Sequence, residues 1–153
     1  MVAATQLIQT ASRFQRAIHV RYDLHDAETI EQYIPTFSTA NALSAIINGT
    51  HSEGTQRAHV LHASYGSGKS HFAVALSALL ENNDYLRPSI RHFVERIAAT
   101  DSRTSELAYE YLDHGTRLLP VVLSGNEGDL TTALFRALSR ALDEADLGSV
   151  QLV

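Results

Sequence analysis

The chain carries a single lysine, Lys69, in the run Ala63-Ser64-Tyr65-Gly66-Ser67-Gly68-Lys69-Ser70; all its other basic side chains are arginines. The pattern is that of a phosphate-binding loop, G-x-x-x-x-G-K-[ST], with Ala63 where the first glycine usually stands. Each position has a chemical reason. Gly66 and Gly68 can take positive φ and bring the N–H groups of Ser64, Tyr65 and Ser67 close to phosphate oxygens. Lys69 is a compact charge on a flexible stem, able to follow the β- and γ-phosphates where a planar guanidinium fits poorly. It is the candidate catalytic residue. The Ser70 hydroxyl is placed to ligate Mg²⁺, and the His71 backbone N–H, rather than its ring, is a further phosphate donor. ATP and Mg²⁺ are the cofactors implied.

The context that confirms a loop of this kind is a strand leading into it and a buried helix following it. Ala58 to Ala63 reads as the strand. Phe72 to Leu80 reads as a helix that is apolar nearly all round, hence buried, with its N-terminus aimed at the phosphates. The fold class predicted is therefore α/β, a P-loop NTPase. Upstream, Val2 to Arg16 is expected to be a helix. Ile18, Val20, Tyr22 and Leu24 alternate with His19, Arg21 and Asp23, a period of two that predicts a half-buried strand. Asp26 to Tyr33 reads as a short helix stopped by Pro35, and Ser38 as the N-cap of a helix through Asn48 with Gly49 at its stop. Thr50 to Gln56 is a loop. Two segments result: 1–50, the helices and strand ahead of the loop, and 51–153, the first part of the nucleotide-binding domain.

Beyond the loop, Asn82-Asn83-Asp84 breaks the pattern, and Arg87 to Ala99 and Ser102 to His114 read as helices. Arg117 to Leu123 reads as a strand; Pro120 removes a ladder donor and places it at an edge or bulge. Asp129 caps a helix in which Leu130, Ala133, Leu134, Ala137, Leu138, Ala141 and Leu142 recur at helical spacing.

An ATPase also needs an acidic strand end. Asp143-Glu144-Ala145-Asp146 spells the helicase box, but Ser139 to Leu142 continue a helical period, so the string belongs to a helix. After Leu118 to Leu123 comes Ser124-Gly125-Asn126-Glu127, with serine where the aspartate belongs and Glu127 three residues late; this reads as a polar turn. The expectation is that the chain ends before its acidic strand, with Val150 to Val153 as the first residues of it. Eight histidines show no metal-ligand spacing, His59 and His62 reading as packed or surface residues. Arg87, Arg91 and Arg103 read as a solvated face. With 153 residues, 44% apolar composition and no cysteine, the chain is ordinary globular material that fits a reducing cytoplasm. A formal charge of −5 argues against a general nucleic-acid-coating role. No membrane span or signal peptide is read.

Val20-Arg21-Tyr22-Asp23-Leu24, Tyr33-Ile34-Pro35-Thr36 and Ser64 to Phe72 together resemble the N-terminal region of large bacterial phage-defence ATPases of the BrxC/PglY kind. The resemblance covers roughly residues 18–82. It implies an AAA-like, additional-strand ATPase with a three-layer α/β/α fold, and a chain of over a thousand residues. It implies partners among other defence components, and DNA contacts through the rest of the protein, with oligomers possible. By analogy with related ATPases, Tyr33, Ile34, Pro35 and Thr36 are candidates for base contacts; the alternative is a packed turn between two helices. The leading function is ATP binding and hydrolysis coupled to conformational change in antiviral defence. A nucleotide-binding switch or scaffold with negligible turnover is the alternative. A small-molecule kinase ranks third, since its acidic residue should lie within the chain.

Overall fold

A computed structural model describes residues 17–51, 53–125 and 128–147. Seven helices account for the regular structure of the described residues: α1 (Val20–Asp23), α2 (Ala27–Gln32), α3 (Phe37–Thr50), α4 (Lys69–Glu81), α5 (Arg87–Ala98), α6 (Ser102–Asp113) and α7 (Leu130–Glu144). No β-strand occurs among the described residues, so the expected α/β sandwich is overturned in favour of an all-helical assembly. The expected helix over Val2 to Arg16, the turn residues Asn126 and Glu127, and Val150 to Val153 lie outside the described residues.

Three segments expected as strands fail, each for its own reason. The alternation at Ile18 to Leu24 gives way to a helical turn, because the His19 carbonyl accepts from both Tyr22 and Asp23 N–H at 3.0 Å. The Asp23 carboxylate completes the turn by accepting the His19 N–H at 2.8 Å. Residues 58–63 and 117–123 run outside any helix or ladder. A strand exists only as half of a pair, and neither segment has a described partner. Val60 is 91% exposed, and the Leu118 N–H is spent on the Leu80 carbonyl at the end of α4, at 2.9 Å.

The helices follow their local chemistry. Asp26 caps α2 by accepting the Glu28 N–H, and Asp101 and Asp129 cap α6 and α7 in the same way. α3 starts one turn-half earlier than Ser38 suggests: Thr36 is its N-cap, in a reciprocal capping box with Thr39. It also runs past Gly49, where a Cβ would collide with the Gln56 carbonyl. α4 is buried through Phe72, Val74, Ala75, Ala78 and Leu79, and packs against α1, α2, α3 and α5. Together with Ile30, Leu43, Ile47, Ile90, Phe93 and Val94 these residues make one core.

α4 ends on Asn82, left-handed at φ 49° and fully buried. Its amide donates to the Leu112 carbonyl at 3.1 Å, and its side-chain oxygen accepts from Arg87 at 3.1 Å. One asparagine therefore joins the ends of α4, α5 and α6. α7 turns its alanines inward: Ala133, Ala137 and Ala141 are buried, while Leu130 is 75% exposed. No described helix is long and apolar enough to cross a membrane.

Candidate functional site: the glycine loop at the head of α4

The loop expected to hold phosphate is built as its glycines require. Gly66 has φ +76° and Gly68 φ +81°, and a Cβ on either would meet nothing within 4 Å. Space does not demand glycine at these positions; backbone conformation does. Gly68 is the N-cap of α4, and no side chain caps the helix there. The N–H groups of Lys69, Ser70 and His71 therefore have no intrahelical acceptor, and the first ladder bond is Phe72 N–H to the Gly68 carbonyl at 2.9 Å. Buried helix, left-handed glycine and uncapped amides together make a positive concavity.

Lys69 is the first residue of α4, and its side chain folds back across the loop. The ammonium donates to the Ala63 carbonyl at 2.8 Å and the Ser64 carbonyl at 2.7 Å. The Ser67 hydroxyl lies at 3.5 Å. The lysine thus braces the loop from inside, which an alanine at position 63 permits as well as a glycine, since only its carbonyl is used. Ser70 is exposed at the rim and Tyr65 projects fully into solvent.

Two cavities share Ser67, Gly68 and Lys69. One, of about 260 Å³, lies towards α3 and is lined by Ser38, Thr39, Ala42, Val60, Leu61, His62, Ala63 and Phe72. The other, of about 510 Å³, runs along Tyr65 to His71 and is closed on the far side by Ile18, Thr29 and Gln32. No carboxylate occurs among the residues lining either, so nothing described there repels an anion.

The wall formed by α2 was not legible in the sequence. α2 is six residues long, and three of its C-terminal carbonyls find separate partners. The Ile30 carbonyl accepts the Tyr33 N–H at 3.3 Å, the Glu31 carbonyl accepts from Arg96 at 2.8 Å, and the Thr29 carbonyl meets His71 Nε2 at 2.6 Å. A carbonyl only accepts, so Nε2 carries the proton. The His71 ring therefore has structural work besides the backbone contact expected of it. Nothing in the spacing of residues 29 and 71 signals this bond.

The four candidate base contacts fall differently. Tyr33 is buried, its ring edge-on to His71 at 5.1 Å and to Phe93 at 5.6 Å. Burial raises its hydroxyl pKa, with the Thr39 side chain opposing. Thr36 is spent on the α3 cap, and none of Tyr33, Ile34, Pro35 and Thr36 lines either cavity. They form the turn between α2 and α3, with Tyr33 buried and Ile34 60% exposed. Asp143 and Glu144 lie in α7, with Glu144 in a cleft beside Arg21 and Arg140, away from the loop. His59 packs with Nε2 buried and no hydrogen-bond partner, while His62 is exposed. Arg87 pairs with Asp84 at 3.0 Å, and Arg91 lies 3.9 Å from Asp113, so the arginines are divided among acids.

At its far end α4 is tied to the turn after α1. His25 Nε2 and the Glu81 carboxylate are 2.9 Å apart. The hydrogen bond to Glu81 raises the His25 pKa against the opposing effect of burial. Burial pushes the Glu81 carboxyl up, and the bond and charge of His25 outweigh it, so the net direction is down. Comparison with protein families, with curated proteins and with solved structures finds no match for this chain.

Proposed function

We propose that residues 64–71 bind the polyphosphate of a nucleoside triphosphate with Mg²⁺, and that the resemblance to phage-defence ATPases makes ATP the nucleotide. The observation that carries this reading is the pair of positive-φ glycines leading into an uncapped buried helix whose first residue is the chain's one lysine. An incidental glycine turn does not need two left-handed residues placed two apart, nor an ammonium gathered onto its own carbonyls. On phosphate binding the Lys69 ammonium exchanges two loop carbonyls for phosphate oxygens, a stronger charge-assisted bond. Ser70 supplies an oxygen to Mg²⁺ at the rim. This reading rests on the loop and its helix; the strand expected to lead into the loop does not occur among the described residues. Within a larger defence ATPase such binding would drive conformational change. Binding without turnover is the second reading, favoured by the lack of a described carboxylate in the cavity linings to orient a water.

The test is calorimetric titration of MgATP into the parent, Lys69→Ala and Ser70→Ala. Lys69→Ala is expected to weaken binding more than tenfold, and Ser70→Ala to remove the dependence on Mg²⁺. If Lys69→Ala stays within about threefold of the parent, under ~1 kcal/mol, the phosphate reading fails.

A further inference from the structure

The bond between the His71 ring and the Thr29 carbonyl spans the end of the 510 Å³ cleft, and its chemistry says what it does. α2 is too short to hold its own geometry: a six-residue helix is far below the length at which helices persist alone. Its position must come from what grips it. Ile30 anchors it in the core, and from α5 Ser89 donates to the Glu31 carboxylate at 2.7 Å and Arg96 to the Glu31 carbonyl at 2.8 Å. His71 holds the Thr29 carbonyl from the loop side, and it does so from the first turn of α4, two residues after Lys69. The imidazole is itself fixed by Tyr33, whose ring meets it edge-on and is wedged against Phe72 and Phe93. Every partner of this strut is buried or half-buried, so its length is set by packing rather than by solvent. Thr29 and Gln32 face Gly66 to Ser70 across the cleft.

We propose that the His71 imidazole is a positioning residue for the nucleotide site: it sets the separation between the phosphate loop and the α2 wall, and that wall takes the nucleoside half of the ligand. The inference rests on the phosphate reading of the loop. The neighbouring 260 Å³ cavity lacks such a strut, and its wall at Val60 is exposed rather than packed. The chemistry divides cleanly. Phosphates meet N–H groups and Lys69, which His71's ring does not touch. The sugar and base meet a wall whose place depends on that ring.

Two variants of similar size separate donor chemistry from packing. His71→Gln keeps an N–H able to reach the Thr29 carbonyl, and His71→Met fills the same space without a donor. Each is titrated with MgATP and with magnesium tripolyphosphate, the phosphate chain alone. The Met variant should bind MgATP about tenfold more weakly, the factor that one lost hydrogen bond of ordinary strength can produce. Its tripolyphosphate affinity should stay within about twofold of the parent. The Gln variant should resemble the parent with both ligands. Equal affinities of the Met variant and the parent for MgATP would overturn the proposal, as would parallel losses for both ligands. A Gln variant no better than Met, or a Met variant too unstable to titrate beside a weakened Gln variant, also overturns it. Loss of tripolyphosphate binding in Lys69→Ala is the separate check on the loop itself; if that is absent, the phosphate reading falls first.

Discussion

Gly68 is the position where conformation, rather than contact, should govern binding. Its backbone sits at φ 81°, ψ 16°, and a methyl group built there touches nothing within 4 Å. Gly68→Ala therefore adds no clash, and its cost is the left-handed conformation alone, about 1–2 kcal/mol for an L-residue. That energy is charged to the closed loop, because an alanine can relax only by rotating the 67–68 peptide and turning its N–H away from the concavity. A penalty of that size corresponds to a factor of roughly 5–30 in population, and hence in affinity for any ligand that needs the closed loop. Gly68→Asn should lose less, since asparagine tolerates this region. Gly115, also left-handed at φ +69° with open space around its Cβ, is the control. Gly115→Ala carries the same strain and should lower stability by a similar amount while leaving the ligand untouched. Titration with MgATP and urea unfolding of the three variants read both quantities. If Gly68→Ala binds as tightly as the parent while Gly115→Ala shows the expected strain, the loop does not use its left-handed form, and the reasoning is refuted.

Asn82→Ala should cost about 2–5 kcal/mol, combining left-handed strain of ~1–2 with two hydrogen bonds of ~0.5–1.5 each. Asn82→Gly should recover the strain part, and equal losses in urea unfolding would contradict that division. The His25–Glu81 pair should make stability depend on pH with two edges. His25, raised from 6.5, contributes fully below that value and loses its share as pH rises through its folded pKa. Glu81, lowered from 4.5, contributes above that value and loses its share as pH falls through its folded pKa. The pair is therefore strongest between about 4.5 and 6.5, and with His25 39% exposed its worth stays below about 1 kcal/mol. Unfolding midpoints of parent and His25→Gln across this range should differ most inside the window, and a constant difference would show that the bond does not depend on charge.

The local signals that sequence carries best are those settled within one turn of chain. Asp26, Asp101 and Asp129 announce their helices, and the glycine spacing announces the loop. The segments at 58–63 and 117–123 show where such signals stop. β-branched and apolar residues make them suited to extension, but a strand is a relation between two segments, and local pattern does not specify a partner. The alternation at Ile18 to Leu24 misled for another reason: one carboxylate four residues on, Asp23, captured the His19 N–H and closed a turn. In α7 the helix was evident, yet its buried residues are the alanines Ala133, Ala137 and Ala141, while Leu130 and Leu134 of the same apolar period stay exposed. The α2 wall was hidden for the plainest reason. Its bonds reach residues 42 and 65 positions away, where no periodicity can point.

Those long spans bear on the order in which the molecule assembles. The core helices α5 and α6 adjoin in sequence and pack together, so their contacts close only a short loop. α2 closes much longer ones, and before they close it has six residues and two carbonyls without donors. By this reasoning α2 should join the other helices late, and on partial unfolding leave them early. Its amide protons should therefore exchange with solvent faster than those of α5, and comparable protection in the two helices would contradict this. Because Thr29 and Gln32 line it, the cleft would then exist only in molecules whose α2 has docked.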